Sequence, residues 1–177
     1  MKRLIAFVLA VVLCLSLCAC GASSAEAKPA LKPQTDLPAY SDKFQLVLDN
    51  VDVDEKSIKS FMGYAVAAYR TYDAEAFCEY AYRSMDFSVF DKLSGSMSDK
   101  INELSVQTNA EAFKLSIELQ NIRFQILASN AAAASWKVDY VNYKNKENTM
   151  TSEELKSSIV FAINQYALVI YGSEILI

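Results

Sequence analysis

Between Phe113 and Tyr143 apolar and polar side chains alternate, and this stretch constrains the architecture of the chain more than any other. "FKLSIEL" sets Phe113, Leu115, Ile117 and Leu119 against Lys114, Ser116 and Glu118. The phase slips at Gln120-Asn121 and resumes with Ile122, Phe124 and Ile126. In a strand, such a slip calls for a bulge or a break. Beyond Ser129-Asn130, Ala134, Trp136, Val138 and Tyr140 alternate with Ser135, Lys137 and Asp139. A period of two with one apolar side predicts an antiparallel hairpin over about 113–143, its apolar face packed on helices.

The helical signals lie on either side. Asp54 is placed to cap a helix carrying Ile58, Phe61, Met62, Ala65, Tyr69 and Tyr72 at three- and four-residue steps. Asp73 is the next cap, before "AEAFCEYAYRSM". Asp86 opens "FSVFDKL", which Ser94-Gly95 ends, and Ser98 opens "DKINELSV". After the polar loop "KNKEN", Thr151 and Glu154 have the spacing of a capping box, and helical periodicity runs over 152–171 to Gly172. Lys156, Asn164 and Gln165 interrupt that period, which marks a core helix and not a membrane span. "FQLVLDNVDVDE" reads as a short strand and turn. The expected fold class is α+β: N-terminal helices on a small curved antiparallel sheet, then a long helix over 152–171.

What holds such a domain together follows from its cysteines. The four are Cys14, Cys18, Cys20 and Cys78. The first three cluster near the N-terminus, where Met1-Lys2-Arg3 and an apolar run from Leu4 to Ala19 have the layout of an export signal. The run is shorter than the roughly 20 residues a spanning helix needs. Leu17-Cys18-Ala19-Cys20 resembles the lipobox of bacterial lipoproteins, with small Ala19 beside the cut. The frame ending at Cys18 puts bulky Leu17 at that position. The resemblance implies a signal peptide over 1–19 and a diacylglyceryl group on Cys20. Two acyl chains suffice for stable anchoring, since each buried CH₂ contributes about 0.8 kcal/mol. An ordinary secretory cut after Ala25 or Ala27 is the alternative.

Cys14 and Cys18 leave with that leader and Cys20 is acylated, so Cys78 is the one free cysteine that remains, no internal disulfide is expected and a packed core must supply stability. Residues 20–40 hold all three prolines and read as a lipidated flexible linker, reaching roughly 25–60 Å. Residues 41–177 then form a single domain. Without Lys2 and Arg3, 15 of the 17 basic residues remain against 21 acidic ones, a net charge near −6. That charge argues against nucleic acid and against electrostatic docking on anionic lipid. The expected location is the outer face of the cytoplasmic membrane.

The order "SFMGYAVAAYRTYDAEAFCEYAY" followed by "FKLSIELQNIRFQILASNAAAASWKVDYVNY" resembles the cone-shaped nuclear-transport-factor-2-like and cystatin-like domains of small Gram-positive lipoproteins. In that family further strands close the sheet, whereas this chain ends on "GSEILI": either those last residues pair as a short strand, the chain is a truncated homologue, or a partner such as a second copy supplies the open edge. The resemblance also implies a small apolar ligand in the concavity, which would gather Tyr69, Tyr72, Tyr80, Trp136, Tyr140 and Tyr166. The same aromatics also suit a filled core, the commoner arrangement.

Catalytic chemistry is restricted by the absence of histidine, which removes serine–histidine triads, cysteine–histidine pairs and histidine-ligated zinc. "DNVDVDE" is acidic, but a calcium loop starting at Asp52 would have Ser57 and Gly63 where glycine and glutamate belong. Cys78 reads as a buried thiol, and Glu75 and Glu79 as a solvated pair. No metal, no cofactor and no catalytic residue is expected. The anticipated function is a non-enzymatic, lipid-anchored binding or interaction module. The alternatives are an enzyme using carboxylate or tyrosine chemistry, or a homo-oligomeric assembly subunit. A two-lobed solute receptor is excluded by size.

Overall fold

A computed structural model of the chain describes residues 30–177. The expected signal peptide, Cys20 and the first part of the linker lie outside the described residues. The described residues form six helices: α1 (Asp42–Asn50), α2 (Glu55–Thr71), α3 (Ala74–Ser84), α4 (Ser88–Ser105), α5 (Ala110–Lys144) and α6 (Ser152–Tyr171). No strand occurs among the described residues. The α+β expectation is overturned, and with it the cone-shaped resemblance and the open sheet edge.

The expected hairpin over 113–143 is one continuous helix, α5, 35 residues long. Its buried residues include Leu119, Ile122, Ile126, Ser129, Ala133, Trp136 and Tyr140, in steps of three and four. Ala112 and half-buried Leu115 extend the same row backwards. The slip at Gln120-Asn121, read as a bulge, is the place where that row steps from 119 to 122. Helix rotation of roughly 100° per residue explains the false strand signal. Positions i, i+2, i+4 and i+6 fall near roughly 0°, 200°, 40° and 240°, so an alternating run lands on two opposite helix faces. Phe113 and Ile117 take one face, Leu115 and Leu119 the other. Asn109 caps the start, its Oδ1 accepting from the Ala112 N–H at 2.8 Å.

Two further boundaries differ from expectation. The segment read as strand and turn is α1, capped by Ser41, whose Oγ accepts from the Phe44 N–H at 3.1 Å; Phe44 and Val47 are buried one turn apart. The expected break at Ser94-Gly95 does not occur, and α4 runs through both residues and through Ser98. An added Cβ at Gly95 would meet nothing within 4 Å, so that glycine costs helix propensity without forcing a turn.

Other caps form as read from the sequence. Asp54 accepts from the Ser57 N–H at 3.0 Å and Asp73 from the Ala76 N–H at 2.9 Å. Thr151 and Glu154 form the reciprocal capping box. Helix α6 is the centre of the bundle. Leu155, Ile159, Ala162, Ile163, Tyr166, Ala167 and Ile170 are fully buried, the leucine and the isoleucines each contributing about 1.5–3 kcal/mol. Asn164, which breaks the apolar period in sequence, holds the C-terminus: its Oδ1 accepts from the Ile175 and Leu176 N–H groups and its Nδ2 donates to the Leu176 carbonyl. The terminal residues therefore fold back onto α6 instead of pairing as a strand. No described helix is long and apolar enough to cross a membrane.

Residues 31–40, placed in the expected linker, run over the bundle. Leu31, Leu37 and Tyr40 pack against the core. The Gln34 N–H donates to the Gly63 carbonyl at 2.9 Å. This close approach requires glycine, because a Cβ at position 63 would lie 2.5 Å from the Gln34 carbonyl oxygen.

Candidate functional site

The six aromatic residues singled out in the sequence sit in three places. Tyr72 and Tyr80 face each other across α2 and α3 with ring centroids 5.6 Å apart. Tyr69 lies beside them, edge-on to Phe77, with the Lys156 ammonium 4.8 Å above its ring. Trp136 and Tyr140 stack at 5.5 Å on α5, and the Trp136 indole N–H donates to the Leu155 carbonyl at 2.9 Å. Tyr166 lies flat on Phe90 at 3.7 Å, and its hydroxyl donates to Asn130 Oδ1 at 2.8 Å. Trp136, Tyr140 and Tyr166 are buried. The concavity meant to gather all six depended on the sheet and disappears with it.

One polar cluster forms around Tyr140. Its hydroxyl donates to the Glu79 carboxylate, which also pairs with Arg83 and, at 3.3 Å, with Lys144. The Tyr140 hydrogen bond, then Lys144 and Arg83, hold the Glu79 carboxyl below its ordinary range. Burial, reinforced by Glu79, pushes the Tyr140 phenol up. Glu79 therefore stays ionised and Tyr140 stays protonated, so the cluster is an ion pair with a fixed hydroxyl and no proton to trade near neutrality. The sequence reading of Glu79 as a solvated partner of Glu75 missed this network, because Tyr140 is 61 residues away.

Cys78 is buried and free. Its Sγ lies 3.8 Å from the Ser152 carbonyl, and burial pushes the thiol up to about 12. No group of three or more potential metal ligands occurs among the described residues.

A cavity of about 420 Å³ lies under residues 33–40, lined by Pro33, Pro38, Tyr40, Lys59 and Tyr171 among others. Tyr40 and Tyr171 stack at 5.9 Å. The Tyr40 hydroxyl donates to Glu55, while the Tyr171 hydroxyl is buried without a partner among the described residues. An orphaned buried hydroxyl costs roughly 1–3 kcal/mol.

The most unusual surface is the outer side of α5. Phe113 is 66% exposed, Ile117 44%, Phe124 57% and Val138 60%. At helical spacing these residues share one face with exposed Ala128, Ala131 and Ser135, and that face is opposite the row of Leu119 to Tyr140. A surface helix ordinarily has one apolar stripe and a charged reverse side. Helix α5 has two apolar stripes. Beside the outer one, a groove of about 700 Å³ opens between α1 and α5, with Leu46, Ile122 and Phe124 in its wall.

In comparisons with known proteins, no family model, no curated protein and no solved structure matches this chain.

Proposed function

We propose that the chain is a lipid-anchored, non-enzymatic interaction module held on the outer face of the cytoplasmic membrane through Cys20. The observation that carries the interaction reading is the outer stripe of α5, where four large apolar side chains face water along one helix. Contiguous exposed apolar surface of this kind marks protein contact sites on otherwise polar folds. The carboxyl groups support the non-enzymatic reading. Among those whose pKa is displaced, Asp54, Glu55, Glu79, Asp86 and Glu154 are all displaced downward, by hydrogen bonds from serine or threonine near helix starts, from lysine or from tyrosine. A general acid needs the opposite displacement.

Metabolic labelling with a fatty acid tests the anchor. Label on the natural chain and none on a Cys20→Ser variant is the expected result. Label retained by the variant, or absent from both, overturns it.

A second reading, a small-ligand carrier, is favoured by the unpartnered Tyr171 hydroxyl beside the cavity under residues 33–40. The ligand would be a small apolar molecule with one hydrogen-bonding group. Trp136 does not line that cavity, so ligand-detected magnetic resonance with an aromatic fragment set is the appropriate screen. A hit abolished by Tyr171→Phe supports this reading.

A further inference from the structure

We infer that the outer stripe of α5 is the seat of an antiparallel, two-fold homodimer. The inference rests on the interaction reading above and names the partner as a second copy of this chain.

The argument comes from how bulk is distributed along the stripe. Its N-terminal half carries Phe113, Ile117 and Phe124, and its C-terminal half carries Ala128, Ala131, Ser135 and Val138. Two such stripes laid parallel would set phenylalanine on phenylalanine at one end and alanine on alanine at the other, leaving a void between. Laid antiparallel about a point between Leu127 and Ala128, they match large to small. Phe124 then faces Ala131 of the second copy, Ile117 faces Val138, and Phe113 faces Asn142. Gln120 faces Ser135, giving each half one polar layer, a device that fixes register in helical pairs.

Charge agrees with this direction. Lys114 and Asp139 flank the stripe on the same side of α5, at opposite ends. The antiparallel arrangement brings Lys114 of each copy towards Asp139 of the other, whereas the parallel one leaves the two at opposite ends and unpaired across the contact. The arrangement is isologous, so it closes at two copies.

The size of the contact sets its strength. From Phe113 to Asn142 the helix rises roughly 43 Å, and a strip about 10 Å wide gives on the order of 450 Å² per copy. Stable dimers bury about 800 Å² per partner, so this one is weak and concentration-dependent. Confinement of both copies to one membrane would raise their effective concentration.

Cysteine cross-linking of the full chain in mild detergent tests the geometry, scored above the background of the unsubstituted chain. Ala128→Cys should cross-link to itself. Ile117→Cys and Val138→Cys should each fail alone and succeed when mixed. Phe124→Glu should weaken association at least tenfold while leaving the melting temperature within about 2 °C, because its side chain is exposed. Lys114→Glu should weaken it, and adding Asp139→Lys should restore it. Self-cross-linking by Ile117→Cys, or no cross-link from any variant at high concentration, overturns the proposal. Neither result touches the lipid anchor, which the labelling experiment decides separately.

Discussion

Proline at position 131 separates a continuous α5 from a hairpin. Ala131 is exposed near the middle of the helix. Replacing it removes no core contact, so the effect is confined to the backbone. Within a helix the substitution deletes one N–H donor and drives the ring against the carbonyl four residues earlier, at a cost of about 3 kcal/mol or more. For a domain of this size, each kcal/mol lowers the melting temperature by about 2–4 °C. The expected drop for Ala131→Pro is therefore about 6–12 °C. Ala131→Gly carries the flexibility penalty alone, about 1 kcal/mol, and should lower it by about 2–4 °C. Thermal melts followed by far-ultraviolet circular dichroism, at protein concentrations low enough to keep the chain monomeric, read both. In a hairpin turning at Ser129-Asn130, residue 131 lies at the turn, where proline is accommodated with little loss. A Pro variant that melts within about 2 °C of the parent, or above it, would refute the continuous helix.

Gly63→Ala should lift residues 31–40 from α2, because the new methyl group cannot share space with the Gln34 carbonyl 2.5 Å away. The expected signs are a loss of about 1–3 kcal/mol in denaturant titration and new proteolytic cleavage within that segment, without loss of helix signal. Cys78 should resist thiol reagents at neutral pH in the folded chain and react on unfolding. Burial raises its folded pKa from 9.0 to about 12, so the unfolded chain releases this proton first. Its contribution to stability is thus intact below pH 9 and declines as pH rises towards 12, a decline that Cys78→Ala should reduce in urea midpoints measured across that range. Thr151→Ala removes the hydroxyl that accepts from the Glu154 N–H, and should cost about 1 kcal/mol by the same titration.

Much of the helical half is legible residue by residue. Asp54, Asp73 and Thr151 are read as caps and act as caps, because a cap is a local bond spanning three residues. The stripe from Ile58 to Ala65 is buried as its spacing implies. The second half is misread although a correcting signal is present. No glycine or proline occurs between Gly95 and Gly172, and the proposed hairpin tip is "SNAAAAS", rich in the residue with the highest helix propensity. Alternation outweighs that signal because Phe113, Ile117, Phe124 and Val138 look like core residues, and in the structure they face outward. A second apolar stripe makes a helix resemble a strand whenever local sequence is the only guide. Among the site residues, Trp136 and Tyr166 are buried, while the Glu79–Tyr140 pair joins distant segments and leaves no local trace.

The amino-acid sequence alone determined the local chemistry: the helix starts capped by Asp54, Asp73 and Thr151, that no histidine is available for catalysis, and that Cys78 has no internal partner beyond the N-terminal cluster. Only the tertiary structure decided which apolar residues are inside. Burial is a property of the neighbours that reach a side chain. The row containing Leu119 and Trp136 is covered by α4 and α6, and the row containing Phe113 and Phe124 has no such cover among the described residues, though the two carry similar side chains.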